Sequence, residues 1–71
     1  MKNTKMNREL MFGLMKNLGL AINAAEGLTD DDLAEAMRIK FIAYQEEYAD
    51  MVNEKEFKKA MDKLYDSIGW N

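Results

Sequence analysis

Apolar side chains recur along this chain with helical spacing in three blocks, and nowhere do β-branched residues alternate with polar ones as in a half-buried strand. From about Asn7 to Ala25, one broad stripe holds Leu10, Met11, Leu14, Met15, Leu18, Ala21, Ile22 and Ala25; Phe12 and Leu20 fall outside it. From Asp30 to about Met51 the stripe is Leu33, Met37, Phe41, Tyr44, Tyr48 and Met51, and the stem of Lys40 can lie along its edge. A third face, from Glu54 to Ile68, carries Phe57, Ala60, Met61, Leu64, Tyr65 and Ile68. The pattern predicts helices over 7–25, 30–51 and 54–68, with connections short enough to make consecutive helices antiparallel neighbours. The expected fold is all-α: a small three-helix bundle spanning residues 1–71 as one domain, with a long central helix of roughly 30 Å supplying the middle wall of the core.

The boundaries have their own chemistry. Gly27 reads as a left-handed stop for the first helix. Gly13 and Gly19 lie inside that helix and weaken it by about 1 kcal/mol each relative to alanine, so a kink or fraying is expected there. In the stretch GLTDDDLAEAM, from Gly27 to Met37, three consecutive carboxylates stand before an apolar run. Thr29 and Asp32 match a capping box, and Leu28 and Leu33 a hydrophobic staple. Asp30 and Asp31 then favour the positive end of the helix. A calcium loop would need ligands at alternate positions, a central glycine and a closing glutamate, whereas Ala34 and Ala36 fall at those places. The triplet is a helix start. Asn53 and Glu56 form a second capping box, with Val52 and Phe57 as its staple. Gly69 closes the third helix, which places Trp70 to fold back on Leu64 or Tyr65 and orders the C-terminus.

Composition then removes whole classes of chemistry. The chain has 71 residues, no His and no Cys, so it lacks an imidazole base, a thiolate, a disulfide and a soft metal shell. Ser67 is the only serine, and the isolated glycines form no phosphate loop. Glu46, Glu47, Asp50 and Glu54 read as a solvated helix face, since nothing nearby promises the burial that acid-base work requires. No enzymatic activity, cofactor or metal is expected. Nor is a membrane partner, because no apolar run approaches the length of a bilayer span. Arg8, Glu9 and Lys16 interrupt the apolar N-terminal segment and argue against a signal peptide, which makes a cytoplasmic location the expectation.

Charge and the stray apolar residues carry the functional reading. The net charge is −3, and residues 20–53 hold eight acids against only Arg38 and Lys40. Within that acidic stretch, Ile39 and Ile42 lie well off the main stripe, among Glu35, Glu46 and Asp50. Phe12 and Leu20 are off-stripe on the first helix in the same way. Two explanations compete: three-sided burial of a central helix, or a contact patch rimmed by acids. The second is preferred. It implies a non-enzymatic regulatory or inhibitor protein of bacterial or phage type, which binds a protein partner or a second copy through Phe12, Leu20, Glu35, Ile39, Ile42, Glu46 and Asp50. Seven methionines suit a deformable contact surface and an irregular small core equally well. The alternative is nucleic-acid binding through Arg8, Lys55, Lys59 and Lys63, reinforced by Lys2, Lys5 and Lys58. Against it, Glu56, Asp62 and Asp66 dilute the basic field, and the aspartate triplet disfavours the second helix as a DNA reader.

The C-terminal AMDKLYDSIGW, with Lys63, Leu64, Tyr65, Asp66, Ile68 and Trp70, resembles the end of the small Hha/YmoA-type nucleoid-associated modulators, as LTDDDL (Leu28–Leu33) resembles a segment upstream in that family. The resemblance covers under a quarter of the chain, with wider spacing between the two segments and no counterpart of the family's basic N-terminal half. It implies a regulatory role exercised by binding a DNA-organising protein.

Overall fold

A computed structural model describes residues 4–70, with side chains from residue 7 onward. The side chains of Lys2 and Lys5, counted above toward a basic N-terminal patch, lie outside the described residues. Three helices follow one another with short connections: α1 (Thr4–Gly27), α2 (Asp31–Met51) and α3 (Glu54–Ile68). They form the expected all-α three-helix bundle.

Contacts fix the directions of the helices. Glu26, near the end of α1, pairs with Arg38 in the first half of α2. Phe12 lines a cleft together with Tyr48 near the end of α2, so α1 and α2 are antiparallel. Tyr48 meets Phe57 and Phe41 meets Trp70, which runs α3 antiparallel to α2 and parallel to α1. The core holds Met15 and Ile22 from α1, Phe41 and Tyr48 from α2, and Met61, Leu64 and Ile68 from α3. Ala25 and Ala34 are buried on either side of the first connection, small enough for the two helices to converge there.

The first helix boundary differs from the sequence reading. Gly27 does not adopt a left-handed backbone; Thr29 does, at φ 59°. Thr29 therefore is not the cap. Asp30 is, its Oδ1 accepting the Leu33 N–H at 3.2 Å, and α2 starts one residue later. The reason is the loop: Asp30 N–H reaches back to the Ala25 carbonyl at 2.9 Å, and Thr29 must take a positive φ to allow it. Leu28 and Leu33 are both exposed and form no staple. Asn53 caps α3 as expected, accepting the Glu56 N–H at 2.8 Å, and Gly69 ends it in the left-handed region at φ 88°. Trp70 N–H returns to the Tyr65 carbonyl at 2.9 Å and the indole packs against the Tyr65 ring.

Gly19 marks a close approach and does not interrupt the helix. α1 runs unbroken through it, and a Cβ placed there would stand 2.8 Å from Cγ1 of the buried Ile68. Glycine lets α3 lie directly on α1 at this level. The position of α3 also decides which parts of the broad α1 stripe are covered. Phe12, outside that stripe, packs against the core, whereas Leu10, Leu14 and Leu33 are left exposed.

Candidate interaction surfaces

Three surfaces emerge once α3 is placed. The first is the outer ridge of α2. Glu35, Ile39, Ile42, Glu46 and Asp50 follow one another at spacings of three or four residues and share one side of the helix. Ile39 is 61% and Ile42 54% exposed, so the monomer's own helices do not cover either one. Glu35 bonds Arg38 at 3.2 Å, and the same guanidinium reaches Glu26 on α1 at 2.8 Å. Beside this ridge a groove of about 210 Å³ separates α2 from the end of α3, lined by Arg38, Phe41, Ile42, Gln45, Tyr65 and Trp70. Its floor is rigidly held: the Tyr65 hydroxyl and the Gln45 amide lie 2.6 Å apart, and the Phe41 and Trp70 rings are 5.2 Å centre to centre.

Leu20 is exposed on α1, while Phe12 is half-buried and belongs to a different surface. That second surface is a cleft of about 430 Å³ between α1 and α3, lined by Arg8, Glu9, Phe12, Tyr48, Glu56, Lys59, Ala60 and Lys63. It gathers Arg8, Lys59 and Lys63 of the bases considered for nucleic acid; Lys55 and Lys58 do not line it. Arg8 is held by Glu56 at 3.2 Å, so the cleft's basic field is partly neutralised from within.

The third surface is the side of the α1–α2 pair facing away from α3, where Leu10, Leu14 and Leu33 are exposed. Periodicity alone assigned these leucines to the core. Nothing in the sequence says which edge of a wide apolar stripe a third helix will leave uncovered.

Among the described residues, no group of three or more His, Cys, Asp or Glu side chains is placed to hold a metal. The Ser67 hydroxyl donates to the Lys63 carbonyl at 2.9 Å. No described helix is long and apolar enough to cross a membrane. No protein-family model, curated protein or solved structure matches the chain, and the local likeness of Ala60–Trp70 to the nucleoid-associated modulators stands without a family match.

Proposed function

We propose that this protein is a non-enzymatic interaction module, a small cytoplasmic regulator or inhibitor of bacterial or phage type that binds a protein partner through the outer ridge of α2. The observation that carries the reading is the exposure of Ile39 and Ile42 at 61% and 54% beside the Trp70 groove. Two large aliphatic side chains in water cost hydration free energy that a partner would recover, on the order of 1.5–3 kcal/mol for each one fully buried. Glu35, Glu46 and Asp50 surround them, which suits an apolar socket with a basic rim. Leu20, exposed on α1, is a further apolar candidate for partner contact, whereas Phe12 belongs to the α1–α3 cleft.

The test is a comparison of the tagged wild-type chain with an Ile39→Asp, Ile42→Asp variant in the native host. A protein enriched with the wild type and lost with the folded variant supports the reading. Equal enrichment by both chains would falsify it.

The cleft between α1 and α3 favours a second reading, in which Arg8, Lys59 and Lys63, with Lys55 beyond the cleft, contact nucleic acid. Such binding is steeply salt-dependent. A duplex titration at falling ionic strength decides it: no association at the lowest salt removes this alternative.

A further inference from the structure

We propose that the α1–α2 face opposite α3 is covered by a second copy of this chain, in a two-fold dimer built on an antiparallel crossing of the two α2 helices. This inference concerns the row of α2 next to the Ile39–Ile42 ridge, and the substitutions below distinguish the two.

The argument begins with the shape of the monomer. Its accessible surface is 5200 Å², against about 4500 Å² for a folded monomer of 8.2 kDa. The excess, roughly 700 Å², follows from the elongated outline of the bundle, 40 × 26 × 16 Å. The radius of gyration is 12.7 Å, where about 11 Å is usual for this length. The arrangement is open, only 16 Å along its shortest axis. Exposed Leu10, Leu14 and Leu33 lie on the side that α3 leaves bare.

The pattern on α2 then identifies the occupant. Between about 70° and 150° round the helix from the core line through Phe41 and Tyr48, on the side away from α3, run Leu33, Ala36, Lys40, Ala43, Glu47 and Met51. Tyr44 stands between this row and the core, with Lys40 Nζ 5.8 Å from its ring centre. A two-fold axis passing between Ala43 and Tyr44 makes the row its own complement. Lys40 of one copy then opposes Glu47 of the other, and this happens twice. Ala36 opposes Met51, and Ala43 opposes Tyr44, so a small residue meets a large one at these two levels. The Lys40 and Glu47 charges both face water in the monomer, and the two-fold contact would bring an opposite charge to each. Neither has an opposite charge three or four residues away on α2, and neither joins an ion pair among the described residues. Leu10 and Leu14 flank the C-terminal half of α2, where the N-terminal half of the other α2, with its Leu33, arrives.

The experiment is sedimentation equilibrium over a dilution series of the full chain, with circular dichroism confirming that each variant is folded. The wild type is expected to form dimers. Lys40→Glu and Glu47→Lys should each raise the dimer dissociation constant by about tenfold or more, because each places like charges together at both contacts. Combining the two reversals should restore dimerisation to within about threefold of the wild type. Ala43→Arg should also dissociate the dimer by filling the space at the crossing, and it tests the axis without altering either charge. A wild type that is monomeric at every concentration overturns the proposal, as does a dimer indifferent to these substitutions. Dissociation by Ile39→Asp, Ile42→Asp in place of the charge reversals also overturns it, and transfers self-association to the ridge.

Discussion

The indole N–H of Trp70 donates to Oδ1 of Asn23 across 2.6 Å, tying the residue after the left-handed Gly69 to the last turns of α1. The other half of the same amide donates to the Ile68 carbonyl at 3.0 Å. Asn23 thus satisfies one of the last carbonyls of α3, which no intrahelical donor can reach. The indole it anchors packs on Phe41 and Tyr65 and forms a wall of the groove beside Ile42.

Replacing Asn23 with alanine is therefore expected to cost about 2 kcal/mol, the sum of two hydrogen bonds of ordinary net strength. Trp70→Ala should cost about 2–3 kcal/mol, less than a fully buried tryptophan because one side of the ring is exposed. Urea denaturation followed by circular dichroism measures both. A double variant whose loss equals the sum of the singles would show that the Asn23–Trp70 bond contributes nothing of its own.

The two glycines inside α1 should respond to alanine in opposite directions. At Gly13 nothing lies within 4 Å of the added methyl, so Gly13→Ala should stabilise by up to about 1 kcal/mol through helix propensity. At Gly19 the methyl meets Ile68, and overpacking of about 1–3 kcal/mol outweighs the same gain. In an Ile68→Ala background, Gly19→Ala should cost less than it does beside the intact isoleucine. Thermal midpoints of the four variants are sufficient, and equal stabilisation at both glycines would contradict the close approach of α1 and α3.

The start of α2 provides a sharp comparison between adjacent residues. Asp30→Ala removes the side chain that accepts the Leu33 N–H and should cost about 1 kcal/mol. Thr29→Gly relieves a β-branched residue of its positive φ and should be neutral or stabilising by about 1 kcal/mol. If Thr29→Gly were the more damaging of the two, the cap would belong to Thr29 after all.

Arg38 joins Glu26 and Glu35 across the α1–α2 junction, yet all three side chains remain substantially exposed. Arg38→Ala should change stability by less than about 1 kcal/mol. Added salt should shrink the difference further, because exposed pairs are screened. A loss well above that range in chemical denaturation would mean that the guanidinium supports the adjoining groove through packing of its stem.

Most of the local structure was legible in the chain. The 3.6-residue recurrence of apolar positions specifies three helices. Asn53 with Glu56 and Gly69 mark the ends of α3 because capping and left-handed closure depend on residues adjacent in sequence. The start of α2 was harder, because Thr29, Asp30, Asp31 and Asp32 are all competent near a helix N-terminus. A loop hydrogen bond from Asp30 to Ala25 chose among them.

What the tertiary structure alone decided is which side of each helix meets water. Hydrophobic periodicity reports that a stripe is apolar but carries no information about the width of the neighbour that will cover it. Once Gly19 admits Ile68, α3 lies toward Phe12 and Asn23, which packs Phe12 against the core and leaves Leu10, Leu14 and Leu33 outside. The same placement brings Trp70 beside Ile42 and gathers Arg8, Lys59 and Lys63 around one cleft. Helix formation is governed by neighbours within a turn, so one sequence suffices to read it. A surface assembled from residues tens of positions apart exists only after the helices have packed.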